Sequence, residues 1–188
     1  MENHVRERRR LEILRAATNE FSQNGFEGTR MEAVAKRAGI GKSTVYEYFP
    51  SKSELFRAVC ELIIEDVLKR VQSSLCAALP VRDLLLRYFA CILDLQQALG
   101  SAMPLVNSGE IVFQHIRSYV EQFCQETRYI LTETLQAAAE RGEISDSCDC
   151  NAAALVILSL SAPGFFENLQ ATETNLETVV DFVLRGCR

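Results

Sequence analysis

Only two histidines, His4 and His115, occur in the 188 residues. No metal-spaced histidine pair can be drawn from them, and most histidine-based acid–base chemistry goes with them. A glycine-rich phosphate loop following a strand is lacking too, as is any nucleophile motif. Catalysis is therefore not expected, nor is a metal or cofactor. Four prolines and nine glycines are too few for a fibrous chain, and 48% hydrophobic residues are too many for a disordered one. No stretch reaches the roughly 18 consecutive apolar residues of a membrane-spanning helix. The nearest, Ala152 to Phe166, is interrupted by Ser159, Ser161 and Pro163. The opening Met1-Glu2-Asn3-His4-Val5-Arg6 leads into charge rather than an apolar secretory core, so a cytoplasmic location is expected. The seven cysteines are an odd number, against a disulfide framework, and most are expected to be small buried hydrophobes. Cys148-Asp149-Cys150 reads as a loop pair, since zinc wants four ligands and usually Cys-x-x-Cys spacing.

What is present is helical pattern and uneven charge. The net charge is −5, yet residues 1–60 hold 11 Lys/Arg against 8 Asp/Glu, and the remainder 9 against 17. A basic head on an acidic body is the arrangement that this asymmetry suggests. Apolar residues recur three and four apart throughout. Val5, Leu11, Leu14, Ala17 and Phe21 trace one stripe of a first helix that Gly25 stops. Thr29 with Glu32, three residues on, forms the capping-box pattern for a second helix, Met31 to Ala38. A third runs from Lys42 to Phe49. Ser51 and Glu54 repeat the capping-box pattern for a fourth, ending near Leu75. Longer helices follow: Val81 to about Leu99, a broken stretch around Met103-Pro104, then Glu110 to Arg141, closed by Gly142. Asn151 to Leu169 is apolar nearly all round, and Leu176 to Leu184 is amphipathic.

The sharpest signal lies in Met31 to Pro50. A helix-turn-helix needs a small residue where two short helices touch, a glycine tolerating positive φ in the turn, and an apolar anchor under the second helix. Ala35, Gly39 and Val45 supply these in order. The second helix then carries Lys42, Ser43, Thr44, Tyr46 and Tyr48 away from its core side, groups that bond phosphates and base edges or pack on sugars and thymine methyls. Lys52 opens the next helix, where its ammonium and the free N–H groups together suit a backbone phosphate. Phe21, Phe26, Phe49, Leu55 and Phe56 are expected in the core. The Arg6, Arg8, Arg9, Arg10 run reads as a solvated face in preference to a phosphate clamp, with Glu7 and Glu12 as partners at helical spacing.

These residues carry a resemblance. Phe21, Gly25-Phe26, Gly28-Thr29, Ala33, Ala35, Ala38-Gly39-Ile40, Lys42, Thr44, Tyr46, Tyr48-Phe49, Lys52 and Leu55 are similar, without a gap, to the N-terminal domain of the TetR family of transcriptional regulators. Beyond about residue 60 the likeness is one of helical layout and of Glu140-Arg141-Gly142-Glu143-Ile144 closing a long helix. Gly41 stands where serine is usual, Ser43 where glycine or alanine is common, and Glu47 where histidine or arginine is frequent. A carboxylate at position 47 is repelled by phosphate but accepts from cytosine N4. DNA contact is thus expected from Thr29, Arg30, Lys42, Ser43, Thr44, Tyr46, Glu47, Tyr48 and Lys52.

The resemblance implies an all-α chain: a three-helix DNA-binding domain, residues 1–51, joined to a larger helical ligand-binding and dimerisation domain, residues 52–188. Two recognition helices roughly 34 Å apart match one turn of B-DNA, which calls for a homodimer on a palindromic duplex. Helices apolar beyond one stripe must be covered. Leu155, Leu158, Ala162, Phe165, Phe166, Val179, Phe182 and Val183 are the expected dimer face, forming a four-helix bundle with a second copy. Phe89, Leu93, Gln96, Met103, Phe113, His115, Tyr119 and Phe123 mix apolar bulk with sparse polar groups, as a pocket for a small apolar effector requires. The expected function is a repressor that leaves its operator when the effector binds. An activator of the same fold is one alternative, and a helix-turn-helix reused for protein contact is another. The last would show no salt-dependent duplex binding.

Overall fold

A computed structural model of the chain describes residues 2–75, 79–99, 111–162, 165–172 and 174–187, and among these only helices, turns and loops occur. The helices are α1 Glu2–Gly28, α2 Met31–Arg37, α3 Lys42–Tyr48, α4 Lys52–Leu75, α5 Val81–Leu99, α6 Ile111–Glu140, α7 Cys150–Ser159, α8 Phe165–Ala171 and α9 Leu176–Gly186. The break expected around Met103-Pro104 lies outside the described residues. Two compact units form: Met1–Ile64 with Ala98–Tyr119, and Glu65–Gln97 with Val120–Arg188.

In the first unit α1 to α3 and the first half of α4 enclose Ile13, Leu14, Ala17, Phe21, Val34, Ala35, Val45, Phe49, Leu55 and Val59, all buried. Phe56 meets Phe21 edge-on at 4.8 Å and Phe26 at 5.0 Å between ring centroids. Val5, expected on the inner stripe, is instead 58% exposed. The first turns of α1 carry Arg6 to Arg10 and have little apolar surface to bury, so the helix begins to pack only near Ile13.

Gly25 breaks α1 as expected, with φ 66° and ψ 179°. The break has a consequence that corrects the reading of Thr29. Its hydroxyl does not cap α2; it donates backwards to the carbonyls of Gly25 at 2.7 Å and Glu20 at 3.1 Å. Those carbonyls are left open by the interruption at Gly25, and buried acceptors demand partners. The residue preceding α2 is Arg30, with no side-chain cap, and Glu32 turns to Lys42. Ser51 does cap α4, accepting from the Glu54 N–H at 3.1 Å.

In the second unit Val67, Val71, Leu84, Leu85, Tyr88, Phe89, Ile92, Leu131, Leu135, Ile157 and Val180 form the core. Asp149 caps α7 and Asn175 caps α9. Gly142, at φ 73°, ends α6 in a Schellman turn in which the Glu143 N–H reaches Ala138 O at 2.9 Å. Glu143 then accepts from the Val81 N–H that opens α5, and Ile144 is buried. The Glu140–Ile144 signature thus closes one helix and caps another. The single apolar helix expected over Asn151 to Leu169 is two, α7 and α8. Pro163 lacks an N–H and disfavours a helical residue before it, and Gly164 follows, so a continuous helix there would lose its ladder.

Candidate nucleic-acid interface

The turn between α2 and α3 is set by Gly39 at φ 68°. The Gly39 N–H reaches Lys36 O at 3.2 Å and the Ile40 N–H reaches Ala35 O at 3.0 Å. This closes α2 at a position that strongly favours glycine, since a side chain at positive φ is strained. Val45 is fully buried beneath α3 and Phe49 is 4% exposed, which fixes the helix by one face. Its other face presents Lys42, Ser43, Tyr46 and Glu47 to solvent, with Thr44 and Tyr48 half-buried. Arg30 is exposed at the start of α2. Hydroxyl, amine, carboxylate and aromatic groups on one solvent-facing helix are the mixture that reads base edges while holding phosphates.

Several of these groups have partners within the unit. Lys42 pairs with Glu32 across α2 and α3 and lies 5.7 Å from the Tyr46 ring centroid. The Lys42 hydrogen bond holds the Glu32 carboxyl below its usual range. Lys52 donates to Phe26 O at 2.9 Å and Glu27 O at 3.3 Å, and sits 4.4 Å from the Phe26 ring centroid. It therefore seals the carbonyl end of α1, with one of its three N–H groups left over. Thr29 is 2% exposed, its hydroxyl directed inward.

A lock between α1 and α2 has no local signature in the sequence. The Glu20 carboxylate, nearly buried, accepts from Arg37 Nε at 2.6 Å and from Asn24 Nδ2 at 3.2 Å, while Arg37 Nη2 reaches Gln23 Oε1 at 3.1 Å. Glu20 and Arg37 are 17 residues apart, too far for a local pattern; the one hint was an acid on an otherwise apolar face beside Phe21.

In the second unit Phe89 packs against Phe165 and Phe166, with centroids 6.4 and 6.3 Å away, and Gln96 donates to Ser161 O at 2.8 Å. Phe123 is buried and Leu93 half-buried; Tyr119, which belongs to the first unit, is half-buried too. Met103 and the side chains of Phe113 and His115 lie outside the described residues. The Tyr88 hydroxyl bonds Ser161 Oγ at 2.7 Å, and burial pushes its pKa upward. Of the residues expected at a dimer face, Phe182 is 76% and Leu155 55% exposed. Ala162 is also exposed; Leu158, Phe165, Val179 and Val183 are half-buried. Phe166 is directed into the unit's own aromatic cluster. A groove of about 420 Å³ runs between Ala152, Val156, Phe182 and Val183, ending at Cys148 and Cys187. Cys60 and Cys187 are buried and the other cysteines of the described residues half-buried. Burial pushes the Cys148 thiol up to about 11, away from reactive thiolate. Among the described residues no group of three or more His, Cys, Asp or Glu is placed to hold a metal, and no helix is long and apolar enough to cross a membrane.

An all-α chain whose second short helix is anchored by Val45 and turned outward through Gly39 is a DNA-binding regulator of the helix-turn-helix class. Residues 13–59, a quarter of the chain, match the family model described as bacterial regulatory proteins, tetR family. It is 26% identical over 149 residues to the uncharacterised HTH-type transcriptional regulator YhgD of Bacillus subtilis, covering 79% of this chain and 78% of that one. To RutR of Escherichia coli K12 it is 49% identical over 53 residues, 28% of this chain and a quarter of that regulator. The fold of FadR from Bacillus subtilis, solved in complex with stearoyl-CoA, superposes with a TM-score of 0.64 at 17% identity, covering 93% of this chain and 95% of that one.

Proposed function

We propose that this regulator acts in the cytoplasm as a homodimeric repressor on a palindromic operator, read by Lys42, Ser43, Thr44, Tyr46, Glu47 and Tyr48 of both copies. The observation that carries the reading is α3 itself: Val45 and Phe49 buried on one side, the hydrogen-bonding groups on the other. Arg30 and the remaining N–H of Lys52 serve phosphates beside it. Dimerisation through α7 and α9 would bring the second recognition helix to the spacing of one helical turn of DNA.

The effector in this reading is a small apolar molecule bound by the larger helical domain, residues 52–188. Its apolar helices and few neutral polar groups favour such a ligand. The stearoyl-CoA of the FadR complex makes long acyl thioesters the first compounds to try. Helix α4 is continuous from Lys52 to Leu75, so a ligand that moves its far end changes the placement of Lys52 and of α3. Small changes in half-site spacing cost simultaneous engagement of both heads. Coupling of about 1–3 kcal/mol would change affinity roughly 5- to 150-fold.

Selection from a random duplex library, followed by salt titration of the winner, tests the DNA reading. A palindrome with half-sites about 10 base pairs apart and a steep salt slope is expected. No enrichment at low salt, even after unfolding and refolding to strip a retained ligand, would overturn it. Release of the selected duplex by stearoyl-CoA or shorter acyl thioesters then tests the effector class.

A further inference from the structure

The four arginines at the start of α1 do not share one environment. Arg9 lies 2.8 Å from the Glu12 carboxylate and Arg8 3.7 Å from it, so one acid serves both cations. Arg10 is half-buried, its guanidinium 5.4 Å from the centroid of the Phe49 ring. Arg6 differs from all three. It is exposed, and its guanidinium sits 5.9 Å from the ring centroid of Tyr48, the last residue of the recognition helix. Among the residues from His4 onward whose side chains are described, no carboxylate is in ion-pair reach of it, and Glu7, its neighbour in sequence, faces another side of the helix. The family model's match begins at residue 13, so the likeness assigns nothing to this turn.

We propose that Arg6 is a further DNA contact, a phosphate-binding cation carried by α1 and held against the outer end of α3 by Tyr48. This deepens the DNA reading above and rests on it. A guanidinium drawn to an aromatic face by cation–π attraction keeps N–H groups free for an anion, and the attraction reduces the rotamer freedom lost on binding. Its contact would flank the bases read by α3 and extend the footprint by one phosphate without adding sequence preference.

The test is the salt dependence of binding by the full chain to a random-sequence duplex, which needs no knowledge of the operator. Arg6→Ala is expected to lower the slope of log affinity against log salt by about 0.9, the value for one phosphate, and to weaken binding about five-fold at physiological salt. Arg6→Lys should keep the slope, because it keeps the charge. Arg9→Ala, whose cation is held by Glu12, should change the slope less. A wild-type slope that Arg6→Ala leaves intact would overturn the proposal alone, and a loss confined to the selected operator would reduce Arg6 to a prop for Tyr48. Absence of any salt-dependent binding by the wild type would overturn both this and the DNA reading.

Discussion

Lys42, the first residue of the recognition helix, is hydrogen-bonded to the carboxylate of Glu32 on the helix before it. Both side chains are more than half exposed, so water screens the pair and it adds little to stability. Its effect on binding is larger. A carboxylate beside a DNA-facing cation competes with phosphate for that cation and repels the duplex. Glu32→Gln is expected to raise affinity for every duplex several-fold and to steepen the salt slope by up to about one phosphate, about 0.9. Fluorescence anisotropy on two unrelated duplexes checks this. A gain on one sequence only would mean that Glu32 contacts a base.

The Glu20–Arg37 pair acts on the fold instead. Glu20 is almost buried and accepts from Arg37 and Asn24 at once. Glu20→Ala removes the charge-assisted bond from Arg37, at a cost of roughly 1 kcal/mol, while Asn24 keeps its bond to the Glu20 carbonyl and Arg37 its bond to Gln23. Thermal melting should show it, with duplex affinity falling because α2 is less firmly held. An unchanged melting temperature would show that solvent reaches Arg37 freely.

Where the structure follows the sequence, the cause is local. Gly39 and Gly142 end helices through their own positive φ, and Ser51 caps α4 three residues ahead. The helix-turn-helix was legible because Ala35, Gly39 and Val45 all act within ten residues. Thr29 was misread because the direction of its hydroxyl depends on carbonyls opened four and nine residues earlier by the break at Gly25. Phe166 and Phe182 looked alike, both aromatic in apolar helices. One is directed to Phe89 and the other to solvent, a choice that packing of distant segments makes. Glu20 with Arg37, and Arg6 with Tyr48, are pairings across sequence distance and carry no local sign.

Glu143 predicts an acid response of the second unit. Burial raises its pKa, but the Val81 N–H and the Arg141 guanidinium outweigh this and hold it below the ordinary 4.5. A carboxylate depressed in the fold contributes stability that is full above the unfolded value and lost as pH falls through the folded one. Melting temperature measured from pH 6 to pH 3 should fall less steeply in Glu143→Gln than in the wild type. Parallel curves would show that the Val81 cap is indifferent to charge.

Phe182 offers the plainest test of assembly. It is 76% exposed on α9, with Leu155 and Val156 more than half exposed on α7. Fully burying a phenylalanine side chain contributes about 1.5–3 kcal/mol, and in a two-fold interface the same residue counts twice. Phe182→Glu would place two unpaired carboxylates in that interface if the dimer formed, so a monomer is expected at concentrations where the wild type is dimeric. Sedimentation velocity separates the two states. The monomer should keep most of its melting profile, because little of Phe182 is covered within its own unit, while its operator affinity drops with the loss of the second head. A Phe182→Glu chain that still sediments as a dimer would move the interface away from α7 and α9.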